Sequence, residues 1–204
     1  MNRCFLKKRS KKLSYEEKRA IELMKVLDKC EALLDLHAYN EPYIESVPFA
    51  ICEKNCLEIV KNFDVEYALT GIDKIEKGGT DGYMFNSGKI GICVELGSIE
   101  NYEKFIDLGI KTSYQFLQYF EMVDDNYRYD KRKQIILRAS DIYKKQNTNF
   151  NFTEKFSTFD SVKKNTIICR DGEENIKYQK DKYILFPRDK YDIGVEVFIL
   201  AEKV

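Results

Sequence analysis

The chain has 204 residues, 44% of them hydrophobic and 13% aromatic, with 34 basic side chains against 34 acidic ones, which is the make-up of a globular protein rather than a disordered or fibrous one. Balanced charge provides no field to concentrate nucleic acid or anionic lipid, and no stretch reaches the roughly 18 apolar residues of a membrane span. Nucleic-acid and membrane partners are therefore not expected, which leaves small molecules and proteins.

The first basic cluster, Lys7, Lys8, Arg9, Lys11 and Lys12, is not followed by an apolar run. It reads as a solvated loop rather than the start of a signal peptide, and the expected compartment is the cytoplasm. Six cysteines, Cys4, Cys30, Cys52, Cys56, Cys93 and Cys169, show no CxxC pairing, as expected of reduced and mostly buried thiols. Cys52 and Cys56 lack a second ligand pair, so a zinc knuckle is not expected there.

Ser14-Tyr15-Glu16-Glu17 has the form of a capping box, and Ala20, Leu23, Met24 and Leu27 recur at helical spacing, which predicts a helix over 14–29. Ala32 to His37 reads as a buried strand whose C-terminal end opens among polar residues. A strand over 47–52 and a short helix over 55–63 follow. Between Gly78 and Gly88 the density of turn formers predicts a loop or short helix shaped around a ligand. Lys89 to Leu96 reads as a strand with Ile90, Ile92, Val94 and Leu96 on one face and Gly91, Cys93 and Glu95 on the other. Ser98 is then expected to cap a long helix over 99–123, with Tyr102, Phe105, Ile106, Leu117 and Phe120 as its core stripe. Beyond Asp130, apolar runs over 134–138, 166–169, 183–186 and 195–201 predict a small β-rich unit. The expected division is 1–128 and 129–204.

Chemistry can be sought at two places. His37 is the only histidine. A lone histidine at a strand end is commonly structural, but Asp35 lies two residues earlier on the same face and Asn40 and Glu41 follow, the kind of polar cluster that presents a metal ligand. Glu95 lies inside an apolar run, where a carboxylate is costly unless it is paired, bound to metal or protonated; the alternative is a strand-end glutamate at the sheet edge. Cys93 shares its face, either as a packed thiol or within reach of a metal.

These residues resemble motifs of the succinylglutamate desuccinylase/aspartoacylase family of zinc amidohydrolases, relatives of the zinc carboxypeptidases. Asn2-Arg3-Cys4-Phe5 is similar to the end of the family's Asp-x-Asn-Arg-x-Phe motif, Leu34-Asp35-Leu36-His37 to its Asp-Leu-His motif, and Gly79 to Tyr83 with Gly88 to Gly97 to the segment that ends in its catalytic glutamate. Residues 162–203 resemble its small β-barrel-like domain, with Asn165 at a turn position often held by glycine. The resemblance implies an α/β fold with a zinc carboxypeptidase-like mixed sheet flanked by helices. It also implies one zinc per complete site with His37 as a ligand, Glu95 as the base or acid acting on water, and Asn2, Arg3 and Asp81 as substrate-binding residues. The implied reaction is hydrolysis of the amide of an N-acyl amino acid or related small carboxylate.

Family members carry a His-x-x-Glu motif ahead of the Asn-Arg pair, and this sequence shows none. The expectation is an N-terminally incomplete zinc hydrolase lacking two metal ligands. Rival expectations are a non-catalytic remnant, a subunit completed by a partner chain that supplies the missing segment, a zinc carboxypeptidase, and cysteine-based hydrolysis through Cys93 and His37, which lacks an orienting group.

Overall fold

A computed structural model describes residues 3–6, 12–39, 47–99, 103–124, 133–188 and 191–204. Most of the first basic cluster, Asn2, Asn40, Glu41 and Tyr102 lie outside these. The contacts divide the chain into two units, Met1–Glu41 with Pro48–Ile136, and Pro42–Val47 with Leu137–Val204.

The first unit begins with helix α1 (Tyr15–Leu27), started by the capping box read from the sequence. The Glu17 N–H donates to Ser14 Oγ at 3.2 Å, and the Ser14 N–H donates to Glu17 Oε2 at 2.7 Å. Both bonds satisfy amides that have no partner within the helix. At the other end Lys89 Nζ donates to the Leu27 and Asp28 carbonyls at 3.1 and 2.7 Å, a cation on the negative end of the helix dipole.

Strand β1 (Ala32–Tyr39) follows, then β2 (Phe49–Cys52), a 3-10 turn at Lys54–Cys56, α2 (Leu57–Val60), β3 (Tyr67–Thr70) and α3 (Ile72–Ile75). Helix α4 (Thr80–Asn86), β4 (Ile90–Ser98) and α5 (Glu103–Tyr119) complete the helical part of this unit. The strands lie in the order β1-β4-β2-β3, with β1 and β4 parallel, β4 and β2 antiparallel, and β2 and β3 parallel. This is the mixed sheet flanked by helices that was expected. Alternation along β1 splits its apolar residues between two layers. Leu33 joins Ala20, Met24, Tyr83 and Met84 under α1 and α4, while Leu34 packs with Ile92, Val94 and Phe116 under α5.

Two expectations need correction. Ser98 is no helix cap: it is the last residue of β4 and is buried. The register runs His37 opposite Glu95 and then Tyr39 opposite Ser98, so β4 holds one extra residue, a bulge that extends the strand past Leu96. Gly97 sits in that bulge with φ of 132°, and a Cβ there would lie 2.5 Å from the Phe105 ring. The stripe of α5 is also only partly the expected one: Phe120, just past its end, packs against the core as expected. Gly109, Thr112, Gln115 and Phe116 are buried, whereas Ile106 is half exposed.

The described part of the second unit holds strands and no helix. They are β5 (Ile135–Lys144, entering from the first unit), β6 (Phe150–Phe152), β7 (Ser161–Val162), β8 (Cys169–Asp171), β9 (Glu174–Ile176), β10 (Lys182–Leu185) and β11 (Glu196–Lys203). Antiparallel pairing gives β5-β11-β10-β7 and a separate β6-β8-β9 sheet. Phe150, Ile168, Ile184, Phe198 and Leu200 form the core, with Tyr143 stacked on Phe198 at 5.1 Å. Lys182 is buried, yet its ammonium donates to Ser140 Oγ, Asp141 Oδ2 and Glu202 Oε1 at 2.9, 2.9 and 2.8 Å, so the burial is compensated. Asn165 takes φ of 64°, the left-handed conformation of a glycine-type turn position.

Candidate metal and catalytic site

The site is a product of sheet register. In the β1/β4 pair Asp35 lies opposite Cys93 and His37 opposite Glu95, so all four side chains leave the same face of two parallel strands. Because β4 is interior, lying between β1 and β2, Glu95 does not sit on a sheet edge. Its side chain is 13% exposed and that of His37 28%, so the cluster is sheltered but open to a ligand. The bulge begins directly after Glu95 and ends the regular pairing there.

His37 is held from both sides. Its Nε2 is 3.1 Å from Asp35 Oδ2, its Nδ1 is 3.6 Å from Glu95 Oε1, and the Cys93 sulfur lies within 4.8 Å of a ring nitrogen. The Thr80 hydroxyl, at the first position of α4, donates to the same Asp35 oxygen. Burial alone would raise the Asp35 carboxyl, but hydrogen bonds from His37 and Thr80 outweigh it and hold the pKa below the usual carboxylate value. The same Asp35 contact is the main reason the His37 imidazole is raised far above its ordinary value; Cys93 and Glu95 add to it, and burial opposes it. An Asp35 carboxylate on Nε2 fixes the ring's orientation, so Nδ1 is the nitrogen at which a metal would replace a proton, with Asp35 as the usual outer support of a ligating histidine.

Helix α4 reaches the cluster because residue 91 has no side chain. A Cβ on Gly91 would stand 2.3 Å from the Asp81 carbonyl oxygen, so any larger residue would push the first turn of α4, and Thr80 with it, off β4. Asp81 is the second residue of that turn, and burial pushes its carboxyl from an ordinary 3.8 up to about 6, with Asp73 and Asp35 adding to the shift and two backbone amides opposing it. An acid raised in the fold adds stability below its unfolded pKa and loses it as the pH rises through the folded one. Asp81→Asn is therefore expected to stabilise the protein at about pH 7.5 by about 2 kcal/mol and to change little at about pH 4. Thermal unfolding of both chains at the two pH values checks this, and an equal effect at both would reject it.

Among the remaining residues singled out from sequence, Arg3 forms an ion pair with Glu76, and its backbone takes φ of 76°. The neighbouring Phe5 N–H donates to the Gly78 carbonyl at 3.1 Å, tying this segment to the turn before α4. Asn2 lies outside the described residues. Thr80 went unnoticed in the sequence, where the Gly-Gly-Thr-Asp-Gly run flagged its segment but not its role.

Among the described residues, one group of histidine, cysteine and acidic side chains could hold a metal: His37, Cys93 and Glu95, whose donor atoms all lie within 4.8 Å of one another. An apolar cavity of about 330 Å3, lined by Leu36, Ala38, Leu96, Phe105, Ile106 and Ile110, is formed on the other face of the same strands. Leu36 and Leu96 alternate with His37 and Glu95, so the cavity does not contain the cluster.

Comparison with solved structures gives the fold. A succinylglutamate desuccinylase from Vibrio cholerae superposes with a TM-score of 0.80 at 18% identity, covering 100% of this chain and 64% of its own. The enzyme of the same name from Vibrio parahaemolyticus gives 0.76 at 18%, again over 100% of this chain and 64% of its own. A succinylglutamate desuccinylase/aspartoacylase from Rhodobacter sphaeroides gives 0.69 at 14%, over 100% and 67%. The chain has the succinylglutamate desuccinylase/aspartoacylase fold. The motifs pointed to the same family, although at these identities the likeness establishes the fold alone. No family model matches the sequence, and no curated protein matches it. The chain spans 64% of the length of the two Vibrio desuccinylase structures. No described helix of this desuccinylase-like chain is long and apolar enough to cross a membrane.

Proposed function

We propose that the chain forms the larger part of a zinc-dependent, cytoplasmic deacylase that cleaves the amide bond of an N-acyl amino acid or a related small carboxylate. The observation that carries this reading is the His37–Glu95 pair, 3.6 Å apart on adjacent strands, with His37 braced by Asp35. Imidazole is a common zinc donor, and a carboxylate beside a metal site is a natural general base. A zinc ion held there would polarise the amide carbonyl and make a water more acidic. In this scheme Glu95 takes the proton of the attacking water and delivers it to the leaving amine. Arg3, with Asn2, anchors the substrate carboxylate, which its guanidinium fork would hold bidentately in place of the single contact to Glu76. The strands from Leu137 onward belong, on this reading, to the small barrel-like domain of such enzymes.

One observation favours a partner-dependent version, in which another chain completes the ligand set. The β1 sequence, Ala-Leu-Leu-Asp-Leu-His-Ala-Tyr, is of the near-continuous apolar kind found in interior parallel strands, yet among the described residues β1 has a strand neighbour on one side only.

Zinc content of the purified chain at neutral pH, with a His37→Ala control, tests the proposal. Near one zinc per chain is expected, falling to near none in the control. A native chain without zinc, alone and with its binding partners present, would sink the hydrolase reading.

A further inference from the structure

We infer that the open edge of β1 and the exposed apolar stripe of α5 beside it form a self-complementary surface, on which a second copy of this chain docks about a two-fold axis. The α5 side is the face of the sheet away from His37 and Glu95, and the docking does not depend on zinc.

The strand is the first argument. Among the described residues β1 pairs only with β4. Its sequence, Ala-Leu-Leu-Asp-Leu-His-Ala-Tyr, holds no lysine or proline, and the extra residue of this pair lies on β4, so none of the usual devices blunts the β1 edge. The apolar surface continues from the strand onto α5. Leu36, Ile106, Ile110 and Tyr114 are 39 to 52% exposed, and Leu36, Ile106 and Ile110 also line the apolar cavity between α5 and the sheet. A contiguous apolar surface next to an open strand edge is the mark of an association site.

Symmetry is the second argument, and it selects a second copy over an unrelated chain. Ile106, Ile110 and Tyr114 are spaced by four residues, so the stripe is symmetric about Ile110. In an antiparallel pair Ile110 meets its own copy, and Ile106 of each chain meets Tyr114 of the other. The charged side chains of α5 are Glu103, Lys104, Asp107 and Lys111, while residues 112–119 carry none, so the same arrangement sets each charged end against an uncharged one. The spacing also fits. A Cβ on Gly109 would lie 3.1 Å from Leu96 of β4 and 3.8 Å from Leu36 of β1, which centres α5 between these two strands. With strands about 4.8 Å apart, pairing β1 with its copy about an axis normal to the sheet brings the two α5 axes to about 10 Å, a separation at which helices pack. The balance of 34 basic against 34 acidic side chains leaves no net repulsion between copies.

Light scattering on a size-exclusion column tests this with the full chain. Two chains per particle are expected at high concentration, separating on dilution. Ile110→Asp sets two carboxylates against each other at the axis and should weaken the pair roughly 100-fold or more. Ile193→Asp, at a comparably exposed residue of the other unit, should leave it intact. Hydrogen exchange gives a second readout: the β1 amides that point away from β4 should exchange more slowly in the native pair than in Ile110→Asp. If Ile110→Asp does not fold, Tyr114→Lys replaces it. A native chain that stays single at every concentration would overturn the inference and leave the edge to a different chain. So would a pair that survives both substitutions, β1 amides that exchange equally in native and variant chains, or open-ended aggregates in place of a closed pair. None of these outcomes bears on zinc at His37, so the hydrolase reading stands or falls separately.

Discussion

Glu95→Gln is expected to lower amide hydrolysis by about 10²- to 10⁴-fold, the usual contribution of a positioned general base. The assay needs zinc in excess, so that any weaker metal binding by the amide does not limit the rate. The substitution preserves shape and removes the basic oxygen. The thermal midpoint should change little, since Glu95 sits beside His37 in a sheltered but open cluster and not in the closed core. Activity within tenfold of the native value would show that another group moves the proton and would remove Glu95 from its assigned role.

Phe49→Ala is expected to have the largest effect on stability, about 3–5 kcal/mol. Phe49 is fully buried on β2 and lies directly opposite Glu95 on β4, so the two side chains leave the same face of the sheet. Truncation leaves a cavity among residues fixed by pairing on both sides of β2, which cannot collapse freely. Urea unfolding followed by circular dichroism measures the loss. A change below about 1 kcal/mol would mean that the sheet relaxes around the site, and that Glu95 is less firmly positioned than the register implies.

The parts of the fold that were legible in the sequence are those with a strong local signal. The capping box located α1 to within a residue at its start, and apolar runs located β1, β2 and β4. The strands β3, β6, β7 and β9 were missed because runs of two to four residues carry too little periodicity to stand out. The stripe of α5 was assigned by residue type. The helix instead turns Gly109 and Thr112 inward, and a Cβ on Gly109 would lie 3.1 Å from Leu96, a closeness that a side-chain pattern does not encode. Ser98 was misplaced for a related reason: the bulge that carries β4 past Leu96 is a property of the strand pair, not of either strand alone.

What the sequence by itself determined is the presence of a lone histidine at the end of an apolar strand, a carboxylate inside another, and a glycine-rich turn between them. Each is costly or unusual in its own segment, which makes it visible without a partner. Only the tertiary structure decided that these features meet. Parallel register sets His37 opposite Glu95 and Asp35 opposite Cys93, and the bare backbone of Gly91 lets α4 carry Thr80 to Asp35, 45 residues away in sequence. A one-residue slip of that register would turn one strand's donors to the opposite face, so the site exists only because packing on both faces of the sheet fixes the pairing.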